Sequence, residues 1–208
     1  MTDLFNNISE KNKEKLLKIL RAHTYNYTKN LKILSINRGE NYIAIVDSGY
    51  IQIVQNDYNG EQFISDRLYE GAVFGPMFSI INNECDIITK EDSRVTIIDY
   101  DEIINNTDVN NVFYKQFIQN LLMIVSEKIK EKNERIKIIT KKTIRNRLLE
   151  YFKLASNYNT NRTIYLPFSI TELAEYLAVD RCAMSRELKN LKEEGFISVK
   201  NRKISLLY

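Results

Sequence analysis

The stretch Ser169–Leu206 most limits what this 208-residue chain can fold into. Ser169-Ile170-Thr171-Glu172 has the S-x-x-E spacing of a capping box, in which serine and glutamate satisfy the open N–H groups at a helix start. Phe168 and Leu173 are placed to form the accompanying hydrophobic staple. The predicted helix Thr171–Leu177 carries Ala174, small enough to let a second helix approach closely. The turn Ala178-Val179-Asp180 ends on a good N-cap residue, and a second helix runs from Arg181 to about Glu194. Met184, Leu188 and Leu191 form its apolar stripe; Arg181, Ser185, Arg186 and Lys189 share the opposite face. Gly195 ends it, and Phe196–Val199 and Lys203–Leu206 flank the basic tip Lys200-Asn201-Arg202. Two short helices followed by a basic hairpin predict a winged helix-turn-helix, whose second helix enters the DNA major groove while the wing touches phosphates. An ordinary small helical domain with a solvated basic face would not need this order of parts.

Charge distribution agrees. From residue 138 onward there are 13 Lys+Arg and 7 Asp+Glu, a net of +6; the rest holds 17 and 20, a net of −3. A basic carboxy-terminal part on an acidic amino-terminal one suits a nucleic-acid-binding half attached to something else.

The amino-terminal part reads differently. Leu16, Leu17, Ile19 and Leu20 recur at helical spacing after a plausible N-cap, Ser9, giving a helix to about Ala22 with the single histidine, His23, at its end. From Tyr25 to about Tyr100 the pattern is that of strands: Leu31–Ile36, Tyr42–Val46, Tyr50–Val54, Gln62–Ser65 and Val95–Ile98. Arg38-Gly39-Glu40, Asp47-Ser48-Gly49 and Asn59-Gly60 mark turns, and Asn-Gly predicts that Val54 and Phe63 lie on paired strands. The expected class is α+β, opening with an antiparallel roll, barrel or sandwich. A long helix follows, from about Asn111 to Ile138. Ile118, Leu122, Val125, Ile129, Ile136 and Ile139 step by three and four, with Lys132 interrupting and Glu127, Lys128, Glu131 and Glu134 at the rim. That stripe fits a coiled-coil seam or a helix packed on its own β domain, and periodicity does not choose between them. Another helix spans about Lys142–Ser156.

Taken together, the chain resembles the Crp/Fnr transcription regulators along nearly its whole length. Leu166-Pro167-Phe168-Ser169, Glu172-Leu173-Ala174, Leu177, Asp180-Arg181-Cys182-Ala183-Met184-Ser185-Arg186-Glu187-Leu188 and Glu194-Gly195-Phe196-Ile197 are similar to that family's winged helix. Gly39-Glu40, Ser48-Gly49 and Gly71-Ala72-Val73-Phe74-Gly75 resemble the glycine positions of its cyclic-nucleotide-binding-type β-roll. The resemblance implies a jelly-roll-like sensor over 1–108, a dimerisation helix over 109–139 and a winged helix-turn-helix over 140–208. It places the base-reading arginine at Arg186 and neighbouring contacts at Arg181 and Ser185. Lys189, Ser169, Thr171, Lys200 and Arg202 complete the expected DNA-facing set, and Ile118, Leu122, Val125, Ile129 and Ile136 the dimer seam. Cys182 replaces a glutamate usual on this helix and cannot accept a cytosine amino group as a carboxylate does, so the half-site should differ from that of the best-known relatives. It reads as a plain helix-surface residue, with thiol-based sensing the alternative.

The expected effector pocket comprises Phe74, Gly75, Pro76, Met77, Asn83 and Glu84. The resemblance implies a carboxylate two residues after Phe74, yet Pro76 stands there, and Asn83-Glu84 lies where an arginine and a hydroxyl would hold a cyclic phosphate. Cyclic AMP is therefore not expected as the effector. No cysteine precedes Cys85, which argues against an iron–sulfur sensor of the family's kind; haem ligation through His23 stays open, and no cofactor is required by the sequence. Two distant cysteines build neither a disulfide framework nor a zinc site, and with no signal peptide or apolar run near 18 residues the expected location is the cytoplasm. The expected partners are an operator in double-stranded DNA, a second copy of the chain and RNA polymerase. The competing classes are a β-barrel enzyme, or a small-molecule-binding module, with a helical appendage. A lone histidine, with no G-x-S-x-G element, P-loop or Cys/His pairing, gives the enzyme reading nothing to work with.

Overall fold

The computed structural model describes residues 3–34, 41–56, 62–76, 78, 85–105, 111–157, 163–166, 169–200 and 203–207. The chain divides into two compact units, Met1–Ser126 and Glu127–Tyr208.

The first unit opens with α1 (Glu10–Ile19), followed by β1 (His23–Tyr27), β2 (Lys32–Leu34), β3 (Tyr42–Ser48), β4 (Tyr50–Asn56), β5 (Gln62–Tyr69), β6 (Val73–Phe74), β7 (Cys85–Thr89), β8 (Ser93–Asp99) and α2 (Tyr100–Ile104). Two four-stranded antiparallel sheets result, in the orders β1-β8-β3-β6 and β2-β7-β4-β5. The α+β roll expected from the sequence is present, and Val54 and Phe63 do lie on paired strands.

Strand β3 explains the layering. Tyr42–Val46 are all buried, because both faces of its sheet are covered. Register pairs Ile43 with Ile98 and Ala44 with Ile97. One face sends Ile43, Ile45 and Ile98 into a core with Leu16 and Leu20 at the end of α1 and with Phe117, Leu121 and Ile124. The other sends Ala44, Val46, Val95 and Phe74 into a second core with Ile51, Ile53, Leu68 and Ile87 of the facing sheet.

Phe117, Leu121 and Ile124 belong to α3 (Val112–Ile139), which begins in the first unit and ends in the second. The buried Asn120 amide donates to the carbonyls of Leu4 (3.0 Å) and Asn6 (2.8 Å), tying the amino-terminal segment to this helix.

His23 requires a correction: it is not a helix-end residue outside the strands but the first residue of β1, opposite Ile97. The helix stops earlier than its apolar spacing suggests. Arg21 takes a left-handed conformation (φ 61 is reached at Asn7; Arg21 itself has φ 45), and the N–H groups of Arg21 and Ala22 close onto the carbonyls of Lys18 and Leu17. This is a Schellman-type stop built on arginine where glycine is usual. Three further strands, β1, β6 and β7, go beyond the five read from the sequence, and β7 buries Cys85.

The second unit continues from α3 through α4 (Ile144–Asn157), β9 (Thr163–Tyr165), α5 (Ile170–Tyr176), α6 (Arg181–Glu193), β10 (Ile197–Lys200) and β11 (Lys203–Leu206). Strand β9 adds to the hairpin, giving the sheet order β10-β11-β9. Its core joins Ile138, Leu148 and Phe152 to Leu173, Leu177, Met184, Leu191, Ile197 and Ile204.

Replacing Asn120 by leucine should leave the Leu4 and Asn6 carbonyls without their donor. The expected loss is about 1–3 kcal/mol of unfolding free energy, read from the urea midpoint.

Candidate nucleic-acid interface

The helix-turn-helix is assembled from the ends of its helices inward. Ser169 Oγ accepts the Glu172 N–H (3.2 Å) and the Ser169 N–H donates to Glu172 Oε2 (2.8 Å), so the capping box is complete. Asp180 Oδ1 accepts from the Ala183 N–H at 2.7 Å, which starts α6. Between them α5 ends at Ala178 (φ 51), with the Ala178 and Val179 N–H groups bonded to the carbonyls of Glu175 and Ala174. Gly195 (φ 77) ends α6 in the same way, as glycine does at little cost.

Arginines from other helices hold this frame. Arg147 on α4 donates to the carbonyls of Leu177 (3.1 Å), Ala178 (2.7 Å) and Lys141 (3.0 Å). Arg135 on α3 donates to the Tyr176 carbonyl (3.2 Å) and lies 5.4 Å from the centre of the Tyr176 ring. Three consecutive carbonyls at the end of α5 are thus taken by two guanidinium groups. Arg145 on α4 donates to Glu187 Oε1 (2.6 Å) on α6 and to Glu194 just beyond it, and sits 5.8 Å over the Phe196 ring. These bonds, that to Glu194 first, raise the Arg145 pKa further, and Arg145 in turn holds the Glu194 carboxyl below its usual value.

On α6, Met184 and Leu191 are buried and Leu188 is half-buried, while Arg181, Cys182, Ser185, Arg186 and Lys189 are exposed. Lys189 makes one surface ion pair, with Glu193 at 3.7 Å. Because Arg145 pairs Glu187 and Glu194, the exposed face carrying Arg181, Arg186 and Lys189 is positive. Ser169 is half-buried in its cap and Thr171 is exposed on α5. In the wing, Lys200 is exposed and pairs across the hairpin with Lys203, which lies 5.5 Å over the Tyr165 ring. Arg202, and Phe168 of the expected staple, lie outside the described residues.

The other expected sites fare differently. Leu122, Ile129 and Ile136 are 61, 54 and 54% exposed, spaced by seven along α3, whereas Ile118 and Val125 pack partly against the first core. The helix thus carries two apolar lines: Phe117, Leu121 and Ile124 pack in the β unit's core, while Leu122, Ile129 and Ile136 are exposed. Phe74 and Gly75 are buried and Pro76 is half-buried. Met77, Asn83 and Glu84, the other members of the expected effector pocket, lie outside the described residues. Among the described residues no cluster of His, Cys, Asp or Glu could hold a metal ion, and no helix is long and apolar enough to cross a membrane. Neither Cys85 nor Cys182 is in a disulfide.

Sequence reasoning missed Arg135, Arg145 and Arg147, which look like ordinary helix-surface cations until their partners 30 to 49 residues away are in place.

Residues 145–208 match the family described as the Crp-like helix-turn-helix domain. No curated protein matches the chain. Among solved structures it is similar to OCPA-complexed CprK, at 18% identity over 94% of this chain and 92% of that one, with a TM-score of 0.65. A double mutant of CooA from Carboxydothermus hydrogenoformans aligns at 20% identity over 98% and 95%, TM-score 0.62. The c-di-GMP responsive regulator CLP of Xanthomonas campestris aligns at 14% identity over 94% and 99%, TM-score 0.56. The carboxy-terminal sequence is thus similar to a helix-turn-helix domain, and the chain shares the fold of these solved structures. The fold is Crp-like, and residues 145–208 resemble the Crp-like helix-turn-helix domain in sequence as well.

Glu150 on α4 receives Lys137 (2.9 Å) and Lys141 (3.3 Å). These contacts, Lys137 first, hold its carboxyl below the usual range against the opposing effect of burial. A depressed folded-state value adds stability above the unfolded value of about 4.3 and loses it as pH falls through the folded value. Glu150→Gln should therefore be less stable than the native chain at pH 7, and the difference in urea midpoint should close below about pH 4.

Proposed function

We propose that the protein is a sequence-specific transcription regulator of the Crp/Fnr type, acting as a homodimer on a palindromic operator and contacting RNA polymerase, in the cytoplasm. Residues 1–108 act as sensor, 109–139 as dimerisation helix and 140–208 as DNA-binding domain. The observation that carries this reading is the exposed face Arg181, Ser185, Arg186 and Lys189 on a helix whose start, end and acidic residues are all fixed by partners. A planar guanidinium at Arg186 can donate two hydrogen bonds to guanine O6 and N7, worth about 1–3 kcal/mol of discrimination. Arg181, Ser185 and Lys189 flank it, Ser169 and Thr171 approach the backbone from α5, and Lys200 and Arg202 reach phosphates from the wing.

Two-fold pairing along Leu122, Ile129 and Ile136 would cover a line of exposed apolar side chains that water disfavours, and a palindrome read by two recognition helices needs that symmetry. The effector is a small molecule other than cyclic AMP. CprK is solved with OCPA and CLP is described as responsive to c-di-GMP, so one fold serves unlike ligands. Here Pro76 supplies no carboxylate, and Gly75 admits no side chain, since a Cβ would come within 2.4 Å of the Tyr42 carbonyl.

Selection from a random duplex pool should enrich a palindrome. On it, Arg186→Ala should abolish or relax base preference, and Lys200→Ala should weaken all sequences alike and lower the salt slope by about one. Unchanged preference in Arg186→Ala would overturn the base-reading assignment. The double change Leu122→Glu and Ile129→Glu should sediment as monomer; a persistent dimer would place the seam elsewhere.

A further inference from the structure

Away from the DNA-facing helix, the first unit contains a groove of about 820 Å³, ample for a small ligand. One wall is the edge strand β1. Alternation puts His23, Tyr25 and Tyr27 on one face, opposite Ile97, Val95 and Ser93 of β8, while Thr24 turns the other way to hydrogen-bond Thr96 at 2.8 Å. The three rings follow one another at 6.4 and 6.1 Å between centres, and Tyr25 is 46% exposed. An edge strand thus shows an aromatic ladder to the groove.

The rest of the lining carries charge. Asp99 ends β8, Asp101 and Glu102 follow on α2, and Arg21 lies at the end of α1. Arg21 is paired with Glu102 at 3.1 Å, which leaves Asp99 and Asp101 as an uncompensated charge of −2 among these four groups. An anion is repelled there, and a cation is drawn both by the carboxylates and by the negative faces of the tyrosine rings. A bare metal ion needs several oxygen ligands converging on one point, and no such cluster occurs among the described residues. The remaining cation is one that brings its own apolar stem. A ladder extended over two ring-to-ring steps suits an elongated chain better than a compact head group.

We propose that this groove binds an alkyl polyamine, ammonium groups at one end paired with Asp99 and Asp101 and its methylene chain lying across His23 toward Tyr25. The methylenes cover ring surface that edge position leaves in water, and each ammonium exchanges hydration for a carboxylate and a ring face.

Isothermal titration of the full chain with spermidine, without DNA and at about 150 mM salt, tests this. Saturable binding of one spermidine per chain is expected, undisturbed by millimolar Mg²⁺. Tyr25→Leu keeps an apolar strand residue and Asp99→Asn keeps a good cap for α2; each should weaken binding about tenfold or more. Absence of saturable binding overturns the proposal, as does full displacement by Mg²⁺, which would mark a diffuse counterion effect. Competition with Mg²⁺ uses only the native chain, so the test stands even if a variant misfolds. Since no DNA is present, failure here leaves operator recognition untouched.

Discussion

The arrangement of α5 and α6 in the second unit rests on two guanidinium groups two residues apart on α4. Arg147 takes carbonyls at the end of α5, and Arg145 takes Glu187 in α6 and Glu194 just after it. A helical offset of two residues sends side chains to different sides, so one helix grips both members of the motif. The apolar contacts of Leu148 and Phe152 with Leu173, Met184 and Leu191 supply the cohesion, but such contacts are non-directional. Hydrogen bonds with fixed donors and acceptors set the angle at which the exposed face is presented. The same bonds carry an electrostatic benefit: Glu187 and Glu194 would otherwise weaken the positive field beside Arg181 and Arg186.

The first unit is organised by a different constraint. The stretch Tyr42–Val46 of β3, covered on both sides, has to be apolar at every position, and the sheet containing it must separate two cores rather than cap one. Helices α1 and α3 close one side and the facing sheet closes the other. The edge strand β1 lies where this enclosure ends, which is why its aromatic side chains reach solvent.

Much of this was legible. The winged helix could be read because each of its boundaries is written in side-chain chemistry: Ser169 and Glu172, Asp180, Gly195. Strand β1 was missed because His23-Thr24-Tyr25-Asn26-Tyr27 lacks the β-branched density of a buried strand, being held at an edge mainly by backbone pairing. Boundaries at Arg21 and Ala178 were illegible for one shared reason. Both residues adopt positive φ without being glycine, and the surrounding bonds, rather than an intrinsic preference, hold them there. The stripe on α3 looked ambiguous because the helix has two apolar lines with separate destinations. The arginine anchors depend on long-range partners that no local pattern announces.

Continuous burial along β3 also removes information. Where one face of a strand is wet, sliding by a residue exposes the whole apolar set and is strongly opposed. Tyr42–Val46 would remain apolar on both sides after such a slide, so the penalty falls at the strand's polar end, where Asp47 accepts from Thr96 Oγ1 at 2.6 Å. At the strand's other end shape adds a second constraint, at Gly75. Its backbone fits against the Tyr42 carbonyl so closely that only hydrogen can stand where a side chain would be. A single missing methyl group thus helps to seat a stretch whose greasiness alone would let it drift.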